Sequence, residues 1–357
     1  MNPYTYQLYR AGVSLWLDNI TRSMLDNGTL ERYIKEYSIT GLTSNPSIFD
    51  QAIAHTNYYD QAIATKRKAG LSAEELFFEL AIDDLTRAAD LFLPIYERSN
   101  GLDGWVSLEV SPLLAYDTKT TLAEAKRLFS QANRPNLFIK IPGTDQGIAA
   151  IEEAIFSGVP VNVTLLFSAE QYWQAAQAWL RGVERRIEAG LKPDVRSVAS
   201  IFISRWDKAT LGKVSENLRD QLGLAVAKRT YLTYLKFLSS DRVLRVMNFG
   251  VQPQRLLWAS TGTKDPQASD IFYISNLVAP YTINTMPEET LQAFGEHGKL
   301  GSPLMSNTID PDGTFADFEK VGFKYEDLAE TLQTEGAAGF VKSWNDLLNS
   351  ITAKETK

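Results

Sequence analysis

The chain contains no cysteine, and that one absence removes disulfides, thiol nucleophiles and thiolate metal sites together. Histidine is almost missing too: His55 and His297 are the only two in 357 residues. A zinc hydrolase or metal-dependent aldolase draws on two or three imidazoles, and a serine–histidine triad needs one beside its serine. Neither histidine sits in such a setting, so no metal site and no triad is expected. No run approaches the roughly 20 apolar residues of a membrane span. The start, Met1-Asn-Pro-Tyr-Thr-Tyr6, lacks the basic-then-apolar pattern of a signal peptide, so the expected location is cytoplasmic. Surplus positive charge is also lacking: 36 lysines and arginines face 43 aspartates and glutamates, a net charge of -7. Nucleic acid is a poor partner for such a chain, and an anionic substrate has to be met by local arginines and lysines. Repeats of fixed period and low-complexity tracts are absent as well.

What the chain does have is 44% hydrophobic residues, enough to bury one large barrel or two smaller domains. They come in a regular alternation of short apolar runs and longer stretches of helical spacing. Strands are expected over 13–18, 39–45, 105–110, 137–141, 161–166 and 198–203, with 255–260 and 277–283 as candidates for the seventh and eighth. Helices are expected over 30–37, 121–129, 148–156, 169–187 and 206–237, with a mostly helical excursion from 46 to 98. Pro46 suits the first turn of a helix capped by Asn45, and Thr144 or Asp145 suits the cap of the helix after the fourth strand. Eight strand–helix steps without a long flexible linker imply an α/β fold, a single (β/α)8 barrel over 1–357. The tail over 298–357 is expected to form additional C-terminal helices packed on the barrel's outside.

Polar residues inside the strands carry the functional signal. Side chains alternate along a strand, so Val13, Leu15 and Leu17 oppose Ser14, Trp16 and Asp18. Val106, Leu108 and Val110 oppose Trp105, Ser107 and Glu109, and Val161, Val163 and Leu165 oppose Asn162 and Thr164. In 137–141, Leu137, Ile139 and Ile141 share one face, with Phe138 and Lys140 on the other. The apolar faces suit an outer layer of helices, which turns the polar faces inward. Any one of these residues alone reads as a satisfied core group, a cap or a snorkelling lysine. In this fold, however, reactive groups gather at the C-terminal ends of the strands, where Asp18, Asn45, Glu109 and Lys140 all fall. Burial disfavours an ammonium, and a neutral lysine is what imine formation with a ketone requires.

The same residues lie in six ordered motifs. These are Leu17-Asp-Asn-Ile-Thr-Arg22, Thr40-Gly-Leu-Thr-Ser-Asn-Pro-Ser47, Val106-Ser-Leu-Glu-Val110, Phe138-Ile-Lys-Ile-Pro142, Asn162-Val-Thr-Leu-Leu-Phe-Ser168 and Ser200-Ile-Phe-Ile-Ser-Arg205. Together they resemble the transaldolase family, over about residues 13–285, and within it the longer-chain bacterial members. The resemblance implies a (β/α)8 barrel without metal or organic cofactor. It implies transfer of a dihydroxyacetone unit from a ketose phosphate (sedoheptulose 7-phosphate or fructose 6-phosphate) to an aldose phosphate (glyceraldehyde 3-phosphate or erythrose 4-phosphate), in the pentose phosphate pathway. Carried over by position, Lys140 is the Schiff-base lysine and Asp18 the acid/base at the C4 hydroxyl. Glu109 and Thr164 hold a water for proton transfer, and a buried glutamate there is expected to titrate near neutrality. Asn45, Asn162 and Ser200 contact substrate hydroxyls, Phe202 is the aromatic wall, and Arg205 grips phosphate.

One motif departs from the family. Trp258-Ala-Ser-Thr-Gly-Thr-Lys264 keeps Ser260, but the family arginine two residues on is replaced by Gly262, and Lys264 is the candidate second cation. Two other readings stay open: a fructose 6-phosphate aldolase of the same superfamily, and a silent sugar-phosphate-binding barrel. The aldolases carry glutamine and tyrosine where this chain has Glu109 and Phe202, and a silent barrel has no use for Lys140, Asp18 and Glu109 together. Elsewhere, Tyr231 and Tyr234 read as helix packing and Lys66-Arg-Lys68 as a solvated charge run favourable to a helix end. Monomer and homodimer both remain open.

Overall fold

The apolar runs from the first to the seventh become strands buried along their length, with only Arg255 partly open, and the eighth strand, lying further on than expected, is buried too. The computed structural model describes residues 1–67 and 70–355. The strands are β1 (Val13–Leu17), β2 (Ile39–Thr43), β3 (Trp105–Glu109), β4 (Leu137–Pro142), β5 (Val161–Leu166), β6 (Ser197–Phe202), β7 (Arg255–Ala259) and β8 (Thr282–Met286). All pair in parallel and in chain order, and β8 closes on β1, giving the expected (β/α)8 barrel. In the register, Glu109 sits opposite Lys140 and Lys140 opposite Asn162. Partners in a parallel pair share a face, so these three side chains lie in one interior layer. None of the described helices is long and apolar enough to cross a membrane.

The outward faces form the larger core with the helices, while Trp16, Trp105, Phe138, Leu257 and Ile283 fill the barrel. Trp105 stacks on Phe138 with ring centroids 3.9 Å apart. Room for Trp16 comes from Gly41 on the neighbouring strand: a Cβ there would stand 2.6 Å from the indole. The caps fall where the residue types place them. Asn45 accepts from the Ile48 amide at the start of the helix Pro46–His55, and Thr144 accepts from Gly147 at the start of Asp145–Phe156. Tyr231 and Tyr234 are buried and donate to the carbonyls of Pro280 and Tyr281.

Several expectations need correction. The eighth strand is Thr282–Met286, not 277–283. Leu277, Val278 and Ala279 are buried but precede Pro280, which has no N–H to give a central ladder, so pairing starts beyond it. The helix expected over 206–237 is two, Ser204–Thr210 and Leu222–Leu238, parted by Gly212 at φ 72 and a 3-10 turn at Glu216–Leu218. Leu165 does not join the outward face of β5. It holds φ 57, the register slips between Val163 and Leu166, and its side chain packs inside with Phe167 and Phe202. Lys66 is not simply solvated, since it pairs with Glu79 at 3.0 Å and Asp83 at 3.3 Å, whereas Lys68 lies outside the described residues.

The largest correction concerns the tail. Its last helix, Tyr325–Glu355, does not stay on the barrel's outside but crosses the C-terminal end of the strands. The Gln333 amide donates to the carbonyls of Gly143 (3.1 Å) and Leu165 (2.9 Å), just past β4 and in β5. Trp344 packs edge-on against Phe77 at 5.1 Å, anchoring the helix to the helix Ala73–Arg98.

Candidate active site

β4 carries Lys140 into the interior near the strand's C-terminal end, where the side chain is 7% exposed. Its Nζ stands 3.0 Å from Glu109 Oε2 and donates to the Ser44 carbonyl at 3.2 Å. Burial pushes the Glu109 carboxyl above its ordinary range, against the opposing pull of Lys140. Beyond that ion pair, neither Glu109 oxygen has a hydrogen-bond partner among the described residues, and the same holds for Thr164 Oγ1. Buried polar groups are as a rule hydrogen-bonded to protein or to water, so these oxygens are free to take a water between them.

Asp18 follows directly on β1 and accepts from Thr43 Oγ1 at 3.0 Å, with Thr43 in turn 2.8 Å from Thr285 Oγ1. Its carboxyl is also raised, chiefly by burial, while Lys140 and then Thr43 pull it back. One lysine therefore stands in the field of two carboxyls that both hold their protons more tightly than usual.

These groups open on a cavity of about 350 Å³, within the range of small-ligand sites. Asp18, Thr43, Asn45 and Ser47 line one side, Lys140 and Thr164 the floor, and Ser200 and Phe202 the facing wall. Arg205, Ser260, Gly262 and Lys264 form one end, where Ser260 stands 2.9 Å from Ser204. Burial, followed by the nearby Arg205 charge, lowers the Lys264 ammonium below its usual range. Two cations close enough to repel each other are a prepared place for an anion.

All the residues singled out from sequence line this cavity except two. Glu109 lies beneath the floor against Lys140, and Asn162 is fully buried. The Asn162 amide is spoken for: Nδ2 donates to Ser107 Oγ at 3.1 Å and Oδ1 accepts from Ser200 at 2.7 Å. The site also holds residues the sequence reading did not name. Thr43 was readable, being an inward position of the Thr40–Ser47 motif. Thr285 was hidden by the misplaced eighth strand. Glu335, Phe340 and Ser343 come from the C-terminal helix and form the cavity's roof.

A closed barrel with a buried amine beside two elevated carboxyls, and two cations lining the same cavity, has the layout of a lysine-centred barrel enzyme. The comparison with known proteins narrows this. The family model described as transaldolase/fructose-6-phosphate aldolase matches residues 15–351. The chain is 42% identical to a transaldolase of Frankia alni, covering 98% of this chain and 96% of that one. It is 42% identical to a transaldolase of Thermobifida fusca (97% and 96% covered) and 40% identical to one of Mycobacterium tuberculosis (99% and 97% covered). The chain belongs to the transaldolase/fructose-6-phosphate aldolase family, and within it is a transaldolase, a transferase.

Proposed function

We propose that Lys140 is the nucleophile and that the cavity takes a ketose phosphate with its carbonyl over Nζ and its phosphate between Arg205 and Lys264. The observation that carries this is the Lys140–Glu109 pair at 3.0 Å on the floor of a cavity that ends in two cations. Glu109, raised by burial, accepts the lysine's proton and frees the amine for attack at C2. With Thr164 it orders the water that carries protons during imine formation and hydrolysis. The protonated imine then acts as the electron sink for cleavage of C3–C4.

Asp18 takes the C4 hydroxyl proton, C3–C4 breaks, and the aldose phosphate leaves with a dihydroxyacetone unit still bound to Lys140. An incoming aldose phosphate, erythrose 4-phosphate or glyceraldehyde 3-phosphate, is attacked at its aldehyde, and Asp18 returns the proton. The raised carboxyl suits a group that must both take and give a proton. Asn45 and Ser200 meet the substrate hydroxyls. Asn162 supports Ser200 from beneath through their 2.7 Å hydrogen bond, in place of a direct contact. The dihydroxyacetone unit goes from one phosphorylated sugar to another, and such charged sugars do not leave a cell freely, which favours a cytoplasmic place of work. A coupled assay with fructose 6-phosphate tests the reading: turnover is expected only when erythrose 4-phosphate is added. Equal turnover without the acceptor would assign aldol cleavage instead.

A further inference from the structure

The C-terminal helix presents Glu335, Gly336, Gly339, Phe340 and Ser343 to the cavity, and of these only Phe340 brings an apolar side chain. Its ring centroid lies 5.6 Å from Lys140 Nζ and 6.3 Å from the Phe202 ring, in an edge-on arrangement. Phe202 leans in turn on Phe167 at 5.4 Å. Three rings from β6, the end of β5 and the C-terminal helix thus make one apolar wall and roof beside the amine. The helix is held at that depth by Gln333, whose amide donates to the Gly143 and Leu165 carbonyls. One turn before Phe340, Gly336 allows the approach, since a Cβ there would stand 3.0 Å from Leu165 Cδ2. A ring placed only to fill core would be buried. Phe340 is half-buried and faces an ionisable amine across a polar cavity.

We infer that Phe340 is a positioning residue which, with Phe202, keeps water off the dihydroxyacetone unit bound to Lys140 and so commits the enzyme to transfer over hydrolysis. The inference rests on the Schiff-base reading of Lys140. Once the first aldose phosphate leaves, the bound unit has two fates. In transfer, its nucleophilic carbon attacks an aldehyde. In the leak, that carbon takes a proton instead and water adds to C2. The C2–N bond then breaks with its electron pair going to nitrogen, both water protons end on the Lys140 amine, and free dihydroxyacetone departs. The Phe340 ring beside the amine restricts further water at C2 while the dihydroxyacetone unit waits. Forming the bond to the aldehyde needs no water, and the finished ketose is released by the water held at Glu109 and Thr164. The π-face toward Nζ also favours the cationic imine in the interval.

The test measures, on the full chain with fructose 6-phosphate, the ratio of free dihydroxyacetone formed without acceptor to transfer with erythrose 4-phosphate. Phe340→Gln keeps a helix-forming residue but makes the roof polar, and should raise that ratio roughly tenfold or more. Phe340→Leu keeps the roof apolar and should stay within about threefold of the parent. A merely structural role would change melting temperature and both rates together, leaving the ratio fixed. An unchanged ratio in Phe340→Gln overturns the inference, and so does an equal leak from both variants, which would mean that any loosening of the helix admits water. Borohydride trapping on the parent separates the two claims. If no adduct forms on Lys140, the Schiff-base reading itself falls; if it forms and the ratio does not move, only the role of Phe340 falls.

Discussion

The two ends of the barrel bury charge in opposite ways. At the N-terminal end, Asp103 Oδ2 accepts from Ser14 Oγ at 2.5 Å and Oδ1 from the Trp16 indole at 3.1 Å, and Arg255 Nη1 stands 3.4 Å from Oδ1 as well. The Arg255 guanidinium also donates to Ser14 Oγ (2.7 Å) and to the carbonyls of Leu102 (2.9 Å) and Thr282 (3.2 Å), and only its Nε is left out. At the C-terminal end, Lys140 has one carboxylate and one carbonyl, while Glu109 and Thr164 keep unpartnered oxygens. The lower network saturates its charges and closes the barrel. At the upper end it is burial that raises the Glu109 and Asp18 carboxyls, against the pull of Lys140. Under the proposed mechanism, the same fold uses buried charge for closure at one end and for chemistry at the other.

That contrast breaks first at the top. Glu109→Gln and Asp18→Asn should each lower kcat by about 10²- to 10⁴-fold, the range of a lost acid or base, while barely changing the melting temperature. A large drop in stability with kcat intact would reverse the assignment of the two ends. The bottom should respond the other way. Asp103→Ala leaves Arg255 buried without its carboxylate and should cost about 3–5 kcal/mol of stability, read by urea unfolding, with the folded fraction turning over at the parent rate.

The cationic end is a milder case. Lys264→Ala removes one of two charged contacts and should raise KM for phosphorylated donors roughly ten- to a hundredfold, equivalent to about 1.5–3 kcal/mol. An unchanged KM would place the phosphate elsewhere.

The smallest effect is expected from Asp207, two residues past Arg205, which accepts from Tyr273 at 2.6 Å and from the Gly223 amide at 3.0 Å. Burial pushes its carboxyl from 3.8 up to about 6. Between those values the folded chain holds a proton that the unfolded chain has released, so stability falls as pH rises through that window. The parent should lose about 1–3 kcal/mol across it relative to Asp207→Asn, seen in melts taken at steps from pH 4 to 7. Parallel melting curves for the two proteins would contradict it.

Much of this was legible because a strand alternates. Lysine, glutamate and asparagine on the polar parity of otherwise apolar runs could only point inward, and the register then set Glu109, Lys140 and Asn162 side by side. What misled was apolar sequence that is buried without being strand, as at 277–279, and the bulge that turns Leu165 inward. Alternation places Asn162 inside but does not reveal that its amide is consumed by Ser107 and Ser200. The roof was illegible for a different reason. A helix's apolar face shows that it packs, not on what, so nothing local to Phe340 announces that it comes to lie over Lys140.

The most direct test of the central claim is to incubate the protein with fructose 6-phosphate and borohydride and sequence the modified peptide by mass spectrometry. One reduced dihydroxyacetone unit is expected on Lys140, and none on Lys264 or in Lys140→Arg, whose guanidinium is a very poor imine former. Labelling that persists in Lys140→Ala, or an adduct on another lysine of the parent, would contradict the account.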